Sequence, residues 1–312
     1  MLRRAEGTIP GFPVPTLLFP EPRVTFRTDR DLAGTISRLF VHPVKSCAGI
    51  AVREARLTPT GLEWDRAWMV VDAQGEFLTQ RTLPRMALVQ PELGSTELIL
   101  RAPGMPVLRV TMEAKGPAAA VRVWDDAVPA LDAGDGAARW FSEFLGLPCR
   151  LVRFDPAHRR LSSLRWTGGV EAPNQFADAY PVLVASEASI EMLNHRLDGM
   201  GAPPATIERF RPNVVIAGVE AHDEDRIGAL FVDADGGQAC LQPVKPCTRC
   251  PIPDIDPATA ESTTDVGDAL RAYRQDRRMD GAITFGTNAI VLEGAGCVLR
   301  VGQRVSADWQ FD

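Results

Sequence analysis

The sequence predicts a β-rich α+β fold made of two halves. Short apolar runs, separated by turns that contain Gly, Pro or Asp, recur along most of the 312 residues. This spacing is typical of small barrels and sandwiches. Helical periodicity appears in only a few places, and a chain of this length can form two domains that each bury a core. We therefore expect two β-rich units with helices at their periphery.

Composition and charge narrow the class of protein. The chain is 45% hydrophobic and 24% charged, which is ordinary for a soluble globular protein, and its net charge of −6 argues against non-specific nucleic-acid binding. No run approaches the roughly 20 apolar residues that cross a bilayer, and glycine and proline interrupt the residues after the basic start. We expect a cytoplasmic protein with no nucleic-acid or membrane partner.

The first half begins with an irregular segment and continues as a series of strands. Residues 1–33 are Pro-rich and aperiodic, and are predicted to form an irregular arm. A turn at residues 72–75 predicts a hairpin. One helix has an apolar face between Trp140 and Leu145, and Gly146 is predicted to end it. The predicted strands of this half are 36–41, 52–57, 68–71, 77–79, 98–100, 107–111, 121–124 and 149–152.

The second half begins with a loop over about 155–177, where periodicity is weak. Ser186 is a good N-cap, with Glu187 in the first turn of a predicted helix. A second, shorter helix is predicted around Leu270 and Tyr273. The predicted strands of this half are 182–184, 214–216, 230–232, 239–241, 289–292 and 298–301.

The segment 242–253, with sequence QPVKPCTRCPIP, is the most informative stretch. It places Cys247 and Cys250 beside Lys245 and Arg249 and contains four prolines. Proline fixes φ and removes a backbone donor, so we predict a stiff loop outside helices and central strands. Nearby positive charge favours thiolate, the form that ligates metals or attacks electrophiles.

Four interpretations of this cysteine pair can be compared. A structural zinc site needs about four ligands, and the sequence offers no second pair at short spacing. A thioredoxin-like dithiol needs its first cysteine at the start of a helix, which Pro251 and Pro253 disfavour. Two interpretations remain open. The two cysteines could simply pack in the core, or one thiolate could ligate a metal that is held mainly by an organic cofactor. The six cysteines are dispersed, which favours free thiols over disulfides.

Further polar groups lie where predicted strands begin or end. Lys45 and Ser46 together could bind a phosphate or a carboxylate, and Asp178 could orient water or transfer a proton. Each also fits an ordinary role, such as an exposed lysine, an ion pair or a turn-capping aspartate. Residues 285–288 are predicted as a loop into the last hairpin. The other candidates are Arg66, Thr79, Arg81, Arg211, Asn213 and Asn288.

Several familiar enzymatic motifs are absent from the sequence. It contains no G-x-S-x-G elbow, no P-loop, no convincing Rossmann fingerprint and no H-E-x-x-H. With only four histidines, a histidine-rich metal site is also disfavoured. This pattern indicates a bound cofactor rather than a side-chain triad.

Taken in order, these segments resemble the MOSC family, and within it the mitochondrial amidoxime-reducing component and its bacterial relatives. The resemblance covers about residues 36–305. The matching pieces are HPVKSCAGI at 42–50, DRAWMVVD at 65–72, FLTQR at 77–81, FADAYPVLVASEASIEMLNHRL at 176–197, RFRPNVVI at 209–216, KPCTRC at 245–250 and the ending from FGTN to VGQRV. Several matching segments in the order found in the family identify it far more specifically than any single segment does.

The resemblance implies a fold, a cofactor and a set of site residues. The expected fold is a MOSC N-terminal β-barrel domain over 34–154 and a MOSC β-barrel domain over 155–312, with molybdopterin and its molybdenum between the halves. Cys250 would be the metal ligand, and Asp178 would be the acid nearest the metal. The implied cofactor-binding residues are Lys45, Ser46, Arg66 and Arg211 for the phosphate and pterin, Asn213 and Thr248 beside them, and Thr79, Arg81, Arg249 and Asn288.

The family chemistry implied is reduction of N-hydroxylated compounds: amidoximes, hydroxylamines and N-hydroxy bases. Electrons would come from a separate ferredoxin-like, flavoprotein or cytochrome b5-like partner, because the sequence shows neither an iron–sulfur cysteine cluster nor a membrane anchor. The alternative is a non-redox MOSC protein that carries sulfur or cofactor through a persulfide on Cys250. The sequence Cys-Pro-Ile-Pro-Asp from position 250 departs from a Thr-rich segment of many relatives and could reshape the substrate pocket.

Overall fold

A closed seven-stranded β-barrel forms the centre of the molecule in the computed structural model, which describes residues 30–310. The strands are β1 (Leu32–Val41), β2 (Ile50–Val52), β3 (Glu54–Thr58), β4 (Gly61–Leu62), β5 (Trp68–Asp72), β6 (Gln90–Leu93), β7 (Glu97–Arg101), β8 (Leu108–Thr111), β9 (Ala118–Val123), β10 (Asp126–Asp132), β11 (Cys149–Phe154), β12 (Arg160–Leu161), β13 (Pro173–Asn174), β14 (Val182–Ser186), β15 (Val214–Ala217), β16 (Ile227–Ala234), β17 (Gly237–Thr248), β18 (Thr284–Glu293), β19 (Val298–Arg300) and β20 (Arg304–Trp309). The α-helices are α1 (Asp135–Leu145), α2 (Glu187–Gly199) and α3 (Asp265–Arg271). Short 3-10 helices lie at Pro84–Leu88, Ile207–Phe210, Asp223–Asp225, Ile252–Asp254 and Arg277–Met279.

The barrel strands follow the order β15-β14-β18-β17-β16-β20-β1, and β1 pairs with β15 to close the ring. Strands β14 and β15 are parallel, and the other pairs in the ring are antiparallel. Fully buried aliphatic side chains such as Ile36, Val214 and Leu241 fill the interior. The predicted β-rich fold with barrel architecture is confirmed.

The remaining strands of the first half form smaller sheets. A four-stranded sheet has the order β5-β11-β10-β9, and a three-stranded sheet has the order β6-β7-β8. Helix α1 buries Phe141 and Phe144 in one apolar cluster with Trp68 and Leu151. The helix ends at Gly146, as predicted, because a φ of 75° there lets its N–H bond Ser142 O.

The sheet pairing crosses the boundary that the sequence suggests between the halves. Strand β1 belongs to the first half by sequence, yet it pairs with β15 and β20. Strand β3 likewise pairs with β19. Within the predicted arm 1–33, residues 1–29 lie outside the described part, and β1 already begins at Leu32. The second half therefore depends on the first for its barrel.

The proline-rich cysteine segment contradicts one prediction, because residues 242–248 lie in β17, a central strand by sheet order. Strand β17 pairs with β16 only over 237–241, and beyond that it pairs with β18 alone. The register with β18 shifts at Pro243 and again at Pro246. Proline has no N–H to donate to a neighbouring strand. A strand that has bulges and one unpaired edge tolerates proline, because no partner there needs that hydrogen bond. Only residues 249–253 leave the strand, as predicted.

Two other local predictions were wrong. Residues 285–288, predicted as a loop, lie inside β18, where Gly286 has a φ of 69° and a Cβ would come within 2.7 Å of Val184 O. Residues 77–79 make only an isolated bridge and one backbone hydrogen bond back to β5 instead of a strand. Between residues 30 and 310 no helix is long and apolar enough to cross a membrane.

Candidate functional site

All twelve residues that the sequence singled out line one cavity of about 350 Å³ between the barrel and the sheets of the first half. They come from the turn after β1, the segments flanking β5, the loops before β14 and β15, the end of β17, and β18. The set is Lys45, Ser46, Arg66, Thr79, Arg81, Asp178, Arg211, Asn213, Thr248, Arg249, Cys250 and Asn288. Residues far apart in sequence therefore form one site.

Positive charge dominates this cavity. Six cationic side chains line it, and Asp178 is the one acid among the described lining residues. Such a cluster is unfavourable unless an anion shares the space, because like charges repel strongly where water is partly excluded. The cations are Lys45, Arg66, Arg81, Arg211, Lys245 and Arg249.

Lys45 and Asp178 form an ion pair, in which Nζ lies 2.5 Å from Oδ1. The buried ammonium also donates to Phe176 O at 2.8 Å. Burial lowers the pKa of Lys45, and the carboxylate partly offsets this. Burial would raise the pKa of Asp178, but Lys45 and Arg81 outweigh it and hold that pKa well below its ordinary value. Asp178 is therefore ionised at neutral pH.

Arg66 is fixed on three sides. It forms an ion pair with the buried carboxylate of Asp65, and Nη1 donates to Asn213 Oδ1 at 3.1 Å. Nη2 donates to Arg211 O at 3.0 Å. Asn213 Oδ1 also accepts from Leu183 N, so one amide joins β14 to the loop before β15. This network holds the guanidinium in place before any ligand arrives.

Arg211 has donor capacity that the protein does not use. Its backbone is left-handed, with a φ of 58°, and Nη1 donates to Cys47 O at 2.5 Å. Nη2 is buried and has no hydrogen-bond partner among the described residues. Burial, together with the neighbouring Arg66, lowers the pKa of Arg211 to about 10. A buried, unpaired N–H is costly, so a ligand acceptor at this position would be strongly favoured.

The partly buried Arg81 and the exposed Trp124 form the rim of the cavity. The Arg81 guanidinium lies 4.8 Å from the centre of the Trp124 ring, and Trp124 Nε1 donates to Asp178 Oδ1 at 3.1 Å. The hydroxyl of Thr79 accepts from Arg81 N, which shapes the turn. Ser46 is held in a left-handed conformation, with a φ of 64°. Contacts within the protein thus fix Arg81, Trp124 and the turn at Thr79.

The two cysteines differ in their surroundings. Arg249 Nη1 lies 2.9 Å from Cys247 Sγ, and Nη2 donates to Phe210 O at 3.1 Å. The cation next to Cys250 in sequence therefore contacts the other thiol. Both thiols are partly exposed to the cavity. Across residues 30–310, no group of three or more His, Cys, Asp and Glu side chains is arranged to hold a metal ion.

Sequence reasoning missed several cavity residues. Trp124 was predicted to end a strand, but it leaves β9 with a φ of 56°. Lys245 and Cys247 were noticed for their position and not assigned to the site. Arg160 is buried beneath the site and donates to the carbonyls of Ala177 and Asp178, which fixes the loop that carries Asp178. The sequence carried no signal for Arg160.

Comparison with known proteins identifies the family. The model of the MOSC N-terminal beta barrel domain matches residues 33–148, and that of the MOSC domain matches residues 171–306. This chain belongs to the MOSC family. The resemblance seen in the sequence is therefore confirmed.

Three relatives are similar to this MOSC protein over most of its length. Mitochondrial amidoxime-reducing component 1 of Mus musculus is 34% identical over 286 residues, which cover 87% of this chain and 82% of the relative. Mitochondrial amidoxime reducing component 2 of Homo sapiens is 32% identical, with coverage of 77% and 72%. Molybdenum cofactor sulfurase of Danio rerio is 31% identical over 81% of this chain and 31% of the relative. Since two of these names specify mitochondria, a cytoplasmic location stays a prediction.

Proposed function

We propose that this MOSC protein is a molybdenum-cofactor-dependent reductase of N-hydroxylated compounds such as amidoximes, hydroxylamines and N-hydroxy bases. The observation that carries the proposal is the cavity in which a thiol, Cys250, meets six cations. A relative named for amidoxime reduction supports the reaction, and a relative named molybdenum cofactor sulfurase supports the cofactor. Their sequences cover most of the chain.

The residues present fit such a cofactor. A pterin dithiolene with a phosphate tail is anionic, and the excess of cations over the single acid suits an anion. The unpaired buried Nη2 of Arg211 supplies a donor without a protein acceptor. Cys250 supplies a soft donor, which suits a metal bound by sulfur. We propose that Lys45, Arg66 and Arg211 hold the phosphate and pterin, and that Cys250 ligates the metal.

The bound cofactor would supply two-electron redox chemistry, and the protein would supply binding, orientation and electrostatics. Arg66 and Asn213 are locked together before binding, so the anion site is preorganised. Asp178 is held as a carboxylate by Lys45, so we propose that it orients a proton donor by accepting a hydrogen bond and does not itself carry the proton. Electrons would arrive from a separate donor protein.

A matched pair of cysteine variants tests the function. Protein from a cofactor-competent host should contain about one molybdenum atom per chain by elemental analysis. Cys250→Ser should lose reduction of benzamidoxime driven by an artificial reductant, because the oxygen ligand is harder than thiolate. Cys247→Ser should retain most of the activity, since its thiol contacts Arg249.

Circular dichroism would establish that both variants fold. Equal activity of Cys250→Ser and the parent protein would rule out the ligand assignment. Absence of molybdenum from all three proteins would refute the reductase.

The second candidate function is a carrier of sulfur or cofactor, and the relative named molybdenum cofactor sulfurase favours it. In that case Cys250 would hold a persulfide, and the cations would bind cofactor only transiently. A cyanide-labile sulfur on Cys250 in metal-free protein would support the carrier. The same assay on Cys250→Ser should release no sulfur.

A further inference from the structure

Trp124 is the exposed aromatic side chain at the rim of the cavity proposed for the cofactor, which we call the cofactor cavity. About half of this residue is open to solvent, with a relative exposure of 48%. The other large apolar side chains among the described lining residues are buried, namely Tyr180, Leu183, Phe210 and Ile252. Trp124 therefore offers the main apolar surface to a ligand that enters this cavity.

The backbone at this position is unusual for a tryptophan. Trp124 and Asp125 form the two-residue turn between β9 and β10, where Val123 pairs with Asp126. Trp124 has a φ of 56°, in the left-handed region that bulky side chains rarely adopt and that glycine adopts without steric cost. Glycine would suit this turn better, so the turn by itself does not account for the indole.

Contacts within the protein hold the indole beside the acid of the cavity. Trp124 Nε1 donates to Asp178 Oδ1 at 3.1 Å. The Arg81 guanidinium lies 4.8 Å from the centre of the indole, and the Phe77 ring lies 5.0 Å from it in an edge-to-face arrangement. The indole is therefore oriented before a ligand arrives, next to the carboxylate that we propose orients the proton donor.

That carboxylate has one oxygen left for a ligand. Asp178 Oδ1 accepts from both Lys45 Nζ and Trp124 Nε1. Oδ2 accepts no hydrogen bond among residues 30–310, and Arg81 Nη2 lies 3.8 Å from it in an ion pair. Because about half of the Asp178 side chain is exposed, a donor that enters the cavity can reach Oδ2. An aromatic surface and a free acceptor thus lie side by side at the rim.

The charge at the rim favours a neutral ligand over a cation. Lys45 and Arg81 both pair with Asp178, so two cations face one acid. This excess repels a positively charged group, whereas a neutral group that carries an N–H or O–H donor can still bond Oδ2. Amidoximes and N-hydroxy bases are neutral at neutral pH, and conjugation of the C=N bond with the amino nitrogen makes them planar. An alkyl hydroxylamine carries the same donors but has no flat surface.

We propose that Trp124 determines substrate preference: the planar head group of an amidoxime or N-hydroxy base packs against its indole while an N–H or O–H of that group bonds Asp178 Oδ2. This proposal rests on the proposed reductase function and ranks planar N-hydroxylated compounds above alkyl hydroxylamines. Trp124 and Asp178 line the same cavity as Cys250. A head group bound in this way therefore stays in the cavity where we place the metal.

Substitutions in the turn between β9 and β10 separate the ring from the backbone. Trp124→Gly removes the indole at a φ that suits glycine, so the fold should survive. Trp124→Phe keeps an aromatic surface but has no N–H to donate to Asp178. The matched control is Asp125→Gly in the same turn, because the exposed Asp125 does not line the cofactor cavity.

Calorimetric titration with benzamidoxime, on full chain from the cofactor-competent host and without reductant, measures binding in the absence of turnover. Trp124→Gly should bind about tenfold more weakly, because it loses an aromatic contact and the apolar area that the contact buries. Trp124→Phe should restore most of the affinity, and Asp125→Gly should bind like the parent protein.

Steady-state kinetics with an artificial reductant provide the second measurement. In Trp124→Gly, kcat/KM for benzamidoxime should fall about tenfold, since the lost contact is with the planar group. For N-methylhydroxylamine, which has no planar group, kcat/KM should stay within about twofold of the parent value. A preference for the planar substrate that disappears with the indole would support the role of Trp124.

Equal binding of benzamidoxime by Trp124→Gly and the parent protein, or no binding by the parent protein, would overturn the proposal. Binding by Trp124→Phe as weak as that by Trp124→Gly would also overturn it, since the hydrogen bond to Asp178 would then carry the effect. Loss of molybdenum from Trp124→Gly would overturn it as well, because the indole would then support the cofactor and not the substrate.

The proposed function has separate outcomes. Benzamidoxime reduction that Trp124→Gly leaves unchanged would refute only the role of Trp124. Benzamidoxime binding that depends on Trp124, without any reduction, would refute only the reductase.

Discussion

Three cations of the site each donate to a backbone carbonyl, in addition to the ion pairs that Lys45 makes with Asp178 and Arg66 makes with Asp65. Lys45 donates to Phe176 O, Arg66 donates to Arg211 O, and Arg211 donates to Cys47 O. A carbonyl satisfies a donor and orients it without neutralising its charge. The cavity therefore keeps a positive potential that attracts an anionic ligand. Repulsion between the cations destabilises the folded protein until such a ligand binds.

Arg211 provides a test at the level of one residue. Inorganic phosphate should stabilise the cofactor-free protein, because an anion that binds only the folded state shifts the equilibrium toward folding. At about ten times its Kd the gain is about 1.4 kcal/mol, or roughly 2 °C in Tm. Arg211→Gln should lose most of this gain, since its buried Nη2 has no protein acceptor.

Thermal unfolding in phosphate and in chloride at equal ionic strength measures this effect. Arg109→Gln is the control, since Arg109 is exposed on β8 and pairs with Glu97. An equal phosphate shift in Arg211→Gln and Arg109→Gln would mean that the anion binds elsewhere.

At the level of elements, the start of α2 combines a predicted cap with an unpredicted acid. Ser186 Oγ accepts from Ser189 N at 3.1 Å, so the predicted N-cap is confirmed. Glu224, from a 3-10 helix far along the chain, is fully buried and accepts from the hydroxyls of Ser186 and Ser189. Burial and the charge of Asp225 raise the pKa of Glu224 to about 7.

This raised pKa predicts a pH dependence of stability. The folded state binds the Glu224 proton more tightly than the unfolded state, whose pKa is near 4.5. The contribution of Glu224 is therefore fully present below pH 4.5 and is lost as the pH rises through about 7. The loss is about 3 kcal/mol, because one pKa unit corresponds to about 1.4 kcal/mol.

Glu224→Gln, which does not titrate, should gain stability relative to the parent protein as pH rises. Urea unfolding at several values between pH 4.5 and 8 would measure the difference. Glu220→Gln, at an exposed site, should show no such trend. A difference for Glu224→Gln that stays constant with pH would contradict the burial argument.

The barrel unites the two halves at the level of the whole molecule. Without β1 the barrel would have two open edges, on β15 and on β20, and its buried residues such as Leu230 and Val305 would meet solvent. A marginal stability of about 5–15 kcal/mol cannot absorb such a loss. The halves defined by sequence should therefore not fold independently.

Fragment complementation tests this dependence. Residues 155–312 expressed alone should show no cooperative thermal unfolding by circular dichroism. Co-expression with residues 1–154 should restore it, because β1 to β3 are supplied. Co-expression with residues 59–154, which lack these strands, is the control and should fail. A cooperative transition in the isolated second fragment would show that β1 is dispensable.

The sequence by itself determined features that depend on neighbouring residues. Gly146 ends α1 through its positive φ, and Ser186 caps α2 through its own hydroxyl. The order of the short motifs selected the family and the residues that line the cofactor cavity, because each motif is a run of neighbouring residues that can be recognised without the fold.

Only the tertiary structure decided what depends on distant partners. Residues 242–248 lie in a strand instead of a loop because β18 pairs with them, and the strand tolerates their prolines because β16 ends earlier and leaves one edge free. Arg249 contacts Cys247 and not Cys250, and Trp124 contacts Asp178. Glu224 joins a helix start almost 40 positions away. Local propensity carries no information about such contacts, because their energy comes from pairing and burial between segments that only the closed barrel brings together.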